Sequence, residues 1–116
     1  MSQFLTRKQR YIIDQLPIRL GGIAANLARV NSFGKNPKNS KLVASLLRES
    51  AWFIEWSAPD TSLEFALELV EIQRQIVRWL ADWSRIWNDE LEREIVLAKS
   101  QNWSESLLIR SGLLEP

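Results

Sequence analysis

The stretch that decides the fold class lies between Thr61 and Lys99 and reads TSLEFALELVEIQRQIVRWLADWSRIWNDELEREIVLAK. It contains neither Gly nor Pro, and its apolar residues recur every three or four positions, which is the period of an α-helix. One apolar row keeps its phase through Leu69, Ile76, Leu80, Trp83, Trp87, Leu91 and Ala98. We therefore predict one continuous helix, roughly 58 Å long at about 1.5 Å per residue.

Charged residues on the other face of this stretch support the same prediction. Residues of opposite sign stand three or four positions apart, the spacing at which helical side chains meet. These pairs are Glu71–Arg74, Arg78–Asp82, Asp82–Arg85, Arg85–Asp89 and Asp89–Arg93. At the start, Thr61 and Glu64 fit a capping box, so we expect the helix to begin there.

The predicted long helix is apolar over more than one face. A second row, made of Phe65, Ile72, Trp79 and Ile86, repeats every seven residues beside the first. At about 100° per residue the two rows together cover an arc of roughly 220°, which is wider than contact with one neighbour requires. We expect this helix to pack against two neighbours, or against one neighbour and a second copy of the protein.

The remaining helices follow from the positions of Gly, Pro and polar loop residues. A first helix is predicted from about Leu5 to Asn31; its apolar row crosses Pro17, which indicates a kink or two short helices in line. A second helix, capped by Asn39 or Ser40, ends near Trp56. A short last helix begins at Ser104, and Gly112 is the residue that follows its end. The predicted fold is all-α: an elongated single-domain bundle over residues 1–116.

The composition excludes several kinds of catalytic chemistry. Among 116 residues there is no Cys and no His. The chain therefore has no disulfide, no thiol nucleophile, and no imidazole that could act as a base or bind a metal. A carboxylate-dependent metal hydrolase of the helical-bundle type would need acidic residues on two facing helices. The first two helices supply only Asp14, Glu49 and Glu55. We predict no catalytic residue, cofactor or metal ligand, and this hydrolase is the alternative with the least support.

The charge is divided unevenly along the chain. Residues 1–50 carry nine Lys/Arg and two acids, a net of +7, whereas residues 51–116 carry six Lys/Arg and twelve acids, a net of −6. The favoured interpretation is attraction between the two halves, and the alternative is an anionic partner. A nucleic-acid-associated regulator would use the candidate anion contacts Arg7, Lys8, Arg10, Lys35, Lys38 and Lys41. A membrane-surface role for the basic first helix has less support.

Six Trp residues are the other compositional outlier. Trp79, Trp83 and Trp87 stand four residues apart, and Trp52 and Trp56 form a similar pair. They either pack in the core or form an association surface, because Trp is a frequent interface anchor. We predict a non-enzymatic interaction or scaffold module that forms a homodimer or binds a helical partner through this surface. With no apolar signal segment and no spanning stretch, we expect a cytoplasmic location.

Three aromatic segments resemble a group of known sequences. They are FIEWSAP at 53–59, LVEIQRQIVRW at 69–79 and WSRIW at 83–87. They are similar to segments of small, uncharacterised, all-helical proteins of cyanobacteria, over roughly residues 20–112. The resemblance implies a helical fold and a cyanobacterial setting, and it implies no catalytic residue.

Overall fold

A computed structural model describes residues 6–112, and all the regular structure in that range is helical, as the sequence predicts. Two short 3-10 turns occupy the connections before and after the third helix, at Pro37–Asn39 and Ala58–Asp60. None of the helices in this range is long and apolar enough to cross a membrane. The α-helices are α1 (Arg7–Ile13), α2 (Leu16–Gly34), α3 (Ser40–Ser57), α4 (Leu63–Ala81), α5 (Trp83–Asn88) and α6 (Glu90–Ser111).

The predicted first helix is two helices, and the break precedes Pro17. The chain is extended at Asp14 and Gln15, and Pro17 then stands in the first turn of α2. A proline is tolerated there because the first N–H groups of a helix have no carbonyl partner within it. α2 then continues past Gly21 and Gly22 to Gly34, three residues beyond the predicted end. The start of the prediction, at Leu5, lies outside the described residues.

The prediction of one helix from Thr61 to Lys99 is wrong. The helical path ends at Ala81, resumes at Trp83, and breaks again between Asn88 and Glu90. At the second break Asp89 is extended and its carboxylate accepts a hydrogen bond from the backbone N–H of Glu92 at 3.1 Å. An Asp can therefore start a new helix without any Gly or Pro, because its side chain satisfies a free N–H group.

The charged pairs that suggested continuity are rearranged at these breaks. Arg85 binds Asp82 as predicted, but it also binds Glu92 on the next helix at 2.7 Å, in place of Asp89. Arg93 donates to the carbonyl of Trp87 at 2.8 Å instead of pairing with Asp89. The same charges thus bridge the corner between helices, a role that their spacing cannot distinguish from a straight ladder.

The ends of the later helices also differ from the prediction. Ser62, not Thr61, caps α4 by accepting a hydrogen bond from the N–H of Phe65 at 3.2 Å. The expected short helix from Ser104 is the second half of α6. That helix ends at Gly112, where φ is +80°, a left-handed conformation that glycine adopts without strain.

Four helices, α2, α3, α4 and α6, form a bundle around one apolar core. Neighbours run antiparallel: Asn26 on α2 bonds Glu49 on α3, and Arg19 bonds the carbonyl of Trp56 further along α3. α2 packs most extensively against α6, where Gly34 lies directly against the side chain of Leu97. The described residues measure 41 × 39 × 24 Å. The molecule is a compact, flattened bundle rather than an elongated one, because the breaks fold α6 back onto α2.

The basic and acidic halves of the chain pack together mainly through apolar contacts. Among residues 6–112 only the pair between Arg19 and Asp60, at 3.0 Å, joins the two halves. The contacts between α2 and α6 and between α3 and α4 are made mainly by buried apolar side chains. In the described residues the predicted attraction between the halves therefore appears as direct contact at this one ion pair.

Candidate interaction surface

The three Trp residues predicted to lie near an association surface are packed inside the molecule. Trp79 is only 6% exposed and Trp87 only 3%, while Trp83 is half-buried. The ring of Trp79 packs on Trp103 of α6 with the centroids 5.3 Å apart. A partner cannot reach the two buried rings without separating the helices.

The indole N–H groups of Trp83 and Trp87 have hydrogen-bond acceptors within the molecule, which allows both rings to pack against it. Trp87 Nε1 donates to the carbonyl of Pro37 at 2.7 Å, and Trp83 Nε1 donates to Ser40 Oγ at 3.1 Å. The two rings also stack on each other, with centroids 5.2 Å apart. Since a buried indole needs a hydrogen-bond acceptor, these bonds attach α5 to the start of α3. The pair is a structural joint between sequence segments about fifty residues apart.

Trp52 and Trp56 lie on the opposite half of α3, in a cluster that holds α1. The ring of Tyr11 stacks on Phe53 at 4.1 Å and contacts Trp56 at 5.9 Å. Trp56 is half-buried, and Trp52 remains 39% exposed with the guanidinium of Arg7 above its ring. Of the five predicted Trp residues, Trp52 is therefore the most accessible.

A buried polar group completes the attachment of α1. The hydroxyl of Tyr11 lies 2.9 Å from Ser57 Oγ and donates to the carbonyl of Arg19 at 2.9 Å. Burial raises the pKa of Tyr11 to about 12, because the ionised form would lose its hydration. The buried Arg19 side chain binds the carbonyls of Asp14 and Trp56. One arginine thus ties the end of α1 to the end of α3.

The six candidate anion contacts are all exposed and fall into two groups. Arg7, Lys8 and Arg10 lie on α1, beside the second half of α3, whereas Lys35, Lys38 and Lys41 lie around the connection from α2 to α3. Of the six, only Arg7 forms an ion pair within residues 6–112, at 3.8 Å from Glu49. Arg48, which is not among the six predicted contacts, lines a groove of about 310 Å³ on α3 together with Arg7 and Trp52.

The outer face of α4 carries an exposed apolar surface that was not among the predicted interaction residues. Leu63 is 78% exposed, Leu67 61% and Val77 54%, and Val70 between them is half-buried. Together with Arg74 and the exposed Ala81 they alternate in steps of four and three residues, which is a heptad pattern. The two apolar rows that the sequence analysis singled out lie on the opposite, buried face of α4, so the signal for this surface was only the spacing of its own apolar residues. We call these six residues the α4 outer row.

The carboxylates of the described residues do not gather into a site. Within residues 6–112, no three Asp or Glu side chains come together in a way that could hold a metal ion. Glu68 binds Arg110 on α6, and Glu71 binds Arg74 at 3.1 Å. The acidic face of α4 is thus partly neutralised by arginines.

Comparisons with known proteins place no relative beside this chain. No protein-family model, no curated protein and no solved structure matches it. The resemblance to small cyanobacterial helical proteins accordingly stays a prediction.

Proposed function

We propose that this chain is a helical protein-interaction module that associates with a second copy of itself through the α4 outer row. The observation that carries the proposal is the exposure of Leu63, Leu67 and Val77 on one line of a helix whose opposite side already fills the core. Single exposed apolar residues are ordinary on a protein surface, whereas several on one line of a helix are typical of an association surface.

The proposed self-association uses the α4 outer row in place of the predicted Trp surface. The predicted association face carries Trp79, but the ring of Trp79 is buried against Trp103. The α4 outer row lies on the other side of the same helix. Within the molecule α4 already packs against α3 and, through Trp79 and Trp103, against α6, so a second copy would be its third neighbour.

The test is the oligomeric state of a Leu67→Glu variant, measured by light scattering after gel filtration. Leu67 is exposed, so the change leaves the fold intact while placing a charge in the row. Leu91→Glu is the matched control, because Leu91 is 73% exposed on α6, outside the row. We expect dimers for the wild type and the control and monomers for Leu67→Glu. A wild-type protein that stays monomeric at millimolar concentration would disprove the proposal.

A second candidate function is binding to a polyanion such as nucleic acid. The supporting observation is that Lys8, Arg10, Lys35, Lys38 and Lys41 are exposed and form no ion pair within the described residues. Because no described acidic residue pairs with them, they are available for phosphate contacts. This candidate uses a different surface from the α4 outer row, so the two functions are separable.

Salt dependence tests the second candidate. Binding to a labelled duplex or single strand would weaken steeply as salt rises, because each phosphate contact releases a counterion. Replacing Lys35, Lys38 and Lys41 by Gln would lower the slope of affinity against salt. Absence of binding at about 50 mM salt, where such contacts are strong, would remove this candidate.

A further inference from the structure

The charges that flank the α4 outer row are arranged so that the row can bind its own copy in only one direction. We propose that two copies pair their α4 helices antiparallel, with Glu64 of each copy bound to Arg78 of the other. This inference rests on the proposed function, because it gives the geometry of the same association surface.

The apolar contacts set the register. In an antiparallel pair of helices, the two kinds of core position in the heptad face each other. The α4 outer row then places Leu63 opposite Ala81 of the second copy and Leu67 opposite Val77. At the centre, Val70 faces Arg74, whose aliphatic stem can cover the valine while its charge stays in water. Every apolar residue in the row obtains a partner.

The charges agree with this register. Next to the row, on the side away from α3, α4 carries Glu64, Glu71 and Arg78, all exposed. Neither Glu64 nor Arg78 forms an ion pair within residues 6–112, so each can bind a second copy, with Arg110 as the nearby cation that competes for Glu64. The antiparallel register brings Glu64 within one turn of Arg78 of the other copy, and the twofold symmetry makes this contact twice.

The centre of the pairing is neutral as well. The twofold axis brings the two Glu71 side chains near each other, which alone would be repulsive. Each of them is already bound to Arg74 of its own chain at 3.1 Å. The four central charges therefore cancel, and the four outer charges form two ion pairs.

A parallel pairing lacks these advantages. It would set Arg74 against Arg74 in the apolar seam, and like charges there oppose association. Glu64 and Arg78 would also be about 21 Å apart along the axis, since each residue adds about 1.5 Å. Only the antiparallel arrangement satisfies both the row and its flanking charges.

The experiment is a charge exchange followed by sedimentation equilibrium from about 1 μM to 1 mM, the range in which a small interface dissociates. The variants are Glu64→Arg, Arg78→Glu and the double variant that carries both. Both positions are exposed, and unchanged helicity by circular dichroism will show that the variants fold; because Glu64 lies in the first turn of α4 and Arg78 in the last, each change should lower the thermal midpoint slightly. Each single change places two like-charge pairs in the dimer and should weaken it about tenfold. The double variant restores both pairs and should return to within about threefold of the wild type.

The outcomes separate this inference from the proposed function. If the wild type dimerises and Leu67→Glu dissociates it, but the double variant does not recover, then α4 associates in another geometry and the antiparallel pairing is wrong. Recovery in the double variant supports the antiparallel register, because the two positions are far apart in a parallel dimer. A wild type that is monomeric throughout overturns the proposed function and this inference together.

Discussion

Two serines one turn apart on α6 should respond in opposite directions to the same substitution. Ser104 Oγ is buried and donates to the carbonyl of Ala24 on α2 at 2.7 Å. Ser100 Oγ is equally buried but has no hydrogen-bond partner in the part of the chain that the structure describes. Replacing each by Ala therefore removes a satisfied hydroxyl in one case and an unsatisfied hydroxyl in the other.

The expected magnitudes follow from these contacts. Ser104→Ala loses one hydrogen bond, which contributes about 1 kcal/mol to stability. Ser100→Ala removes a hydroxyl whose burial without a partner costs about 1 to 2 kcal/mol. Helix propensity changes equally at both positions, so it cancels in the comparison. The two variants should differ by roughly 2 to 3 kcal/mol in unfolding free energy, with Ser100→Ala the more stable.

The assay is urea unfolding of both variants and the wild type at one protein concentration, followed by circular dichroism and Trp fluorescence. A matched control is Ser106→Ala, because Ser106 is exposed on the same helix and reports the propensity change alone. The difference corresponds to roughly 10 °C between the two thermal midpoints. Equal destabilisation by both substitutions would refute the reasoning, since it would mean that Ser100 is hydrogen-bonded in solution.

Three further predictions concern other parts of the fold. The pKa of Tyr11 is raised to about 12 in the folded protein, so the unfolded chain loses this proton first and the unfolding free energy should fall as the pH rises from about 10 to 12. In Tyr11→Phe, the urea midpoint should fall less over this pH range than it does in the wild type. Gly22→Ala should raise the unfolding free energy by up to about 1 kcal/mol, and with it the thermal midpoint, because an added Cβ meets no atom within 4 Å. Gly34→Ala should lower the thermal midpoint, because its Cβ would lie 2.2 Å from the Leu97 side chain. Trp87→Phe removes the buried indole bond to the loop before α3 and should destabilise the protein by about 1 kcal/mol or more in urea titrations, while an unchanged midpoint would contradict that bond.

The sequence predicted the helical class because apolar periodicity depends only on local spacing. It did not predict the breaks at Asp82 and Asp89, because the same charges suit a straight helix and a capped corner. The spacing of Asp89 and Glu92 also fits a helix start, but an apolar row that keeps its phase through this point gives no sign of a break. The deciding contacts are tertiary: the indoles of Trp83 and Trp87 bond to residues more than forty positions away.

The candidate surface was less predictable than the fold. Whether a Trp is core or interface depends on which rings meet, such as Trp79 with Trp103, and spacing on one helix cannot show this. The α4 outer row became visible only when the neighbours of α4 were known, because the same residues could have faced α6 in another arrangement. The two apolar rows predicted for this stretch are the ones that the structure buries against α3 and α6, whereas the α4 outer row lies on the opposite face and was not part of the predicted arc.

The near absence of ion pairs between the two halves, among residues 6–112, has a consequence for how this sequence can vary. Apart from Arg19 and Asp60, and from Arg7, which lies over the ring of Trp52, the surface charges of one half can be altered without removing a described contact to the other. The fold and the electric dipole of the chain are then independent properties, and substitution can reshape the dipole for a new partner while the bundle stays assembled.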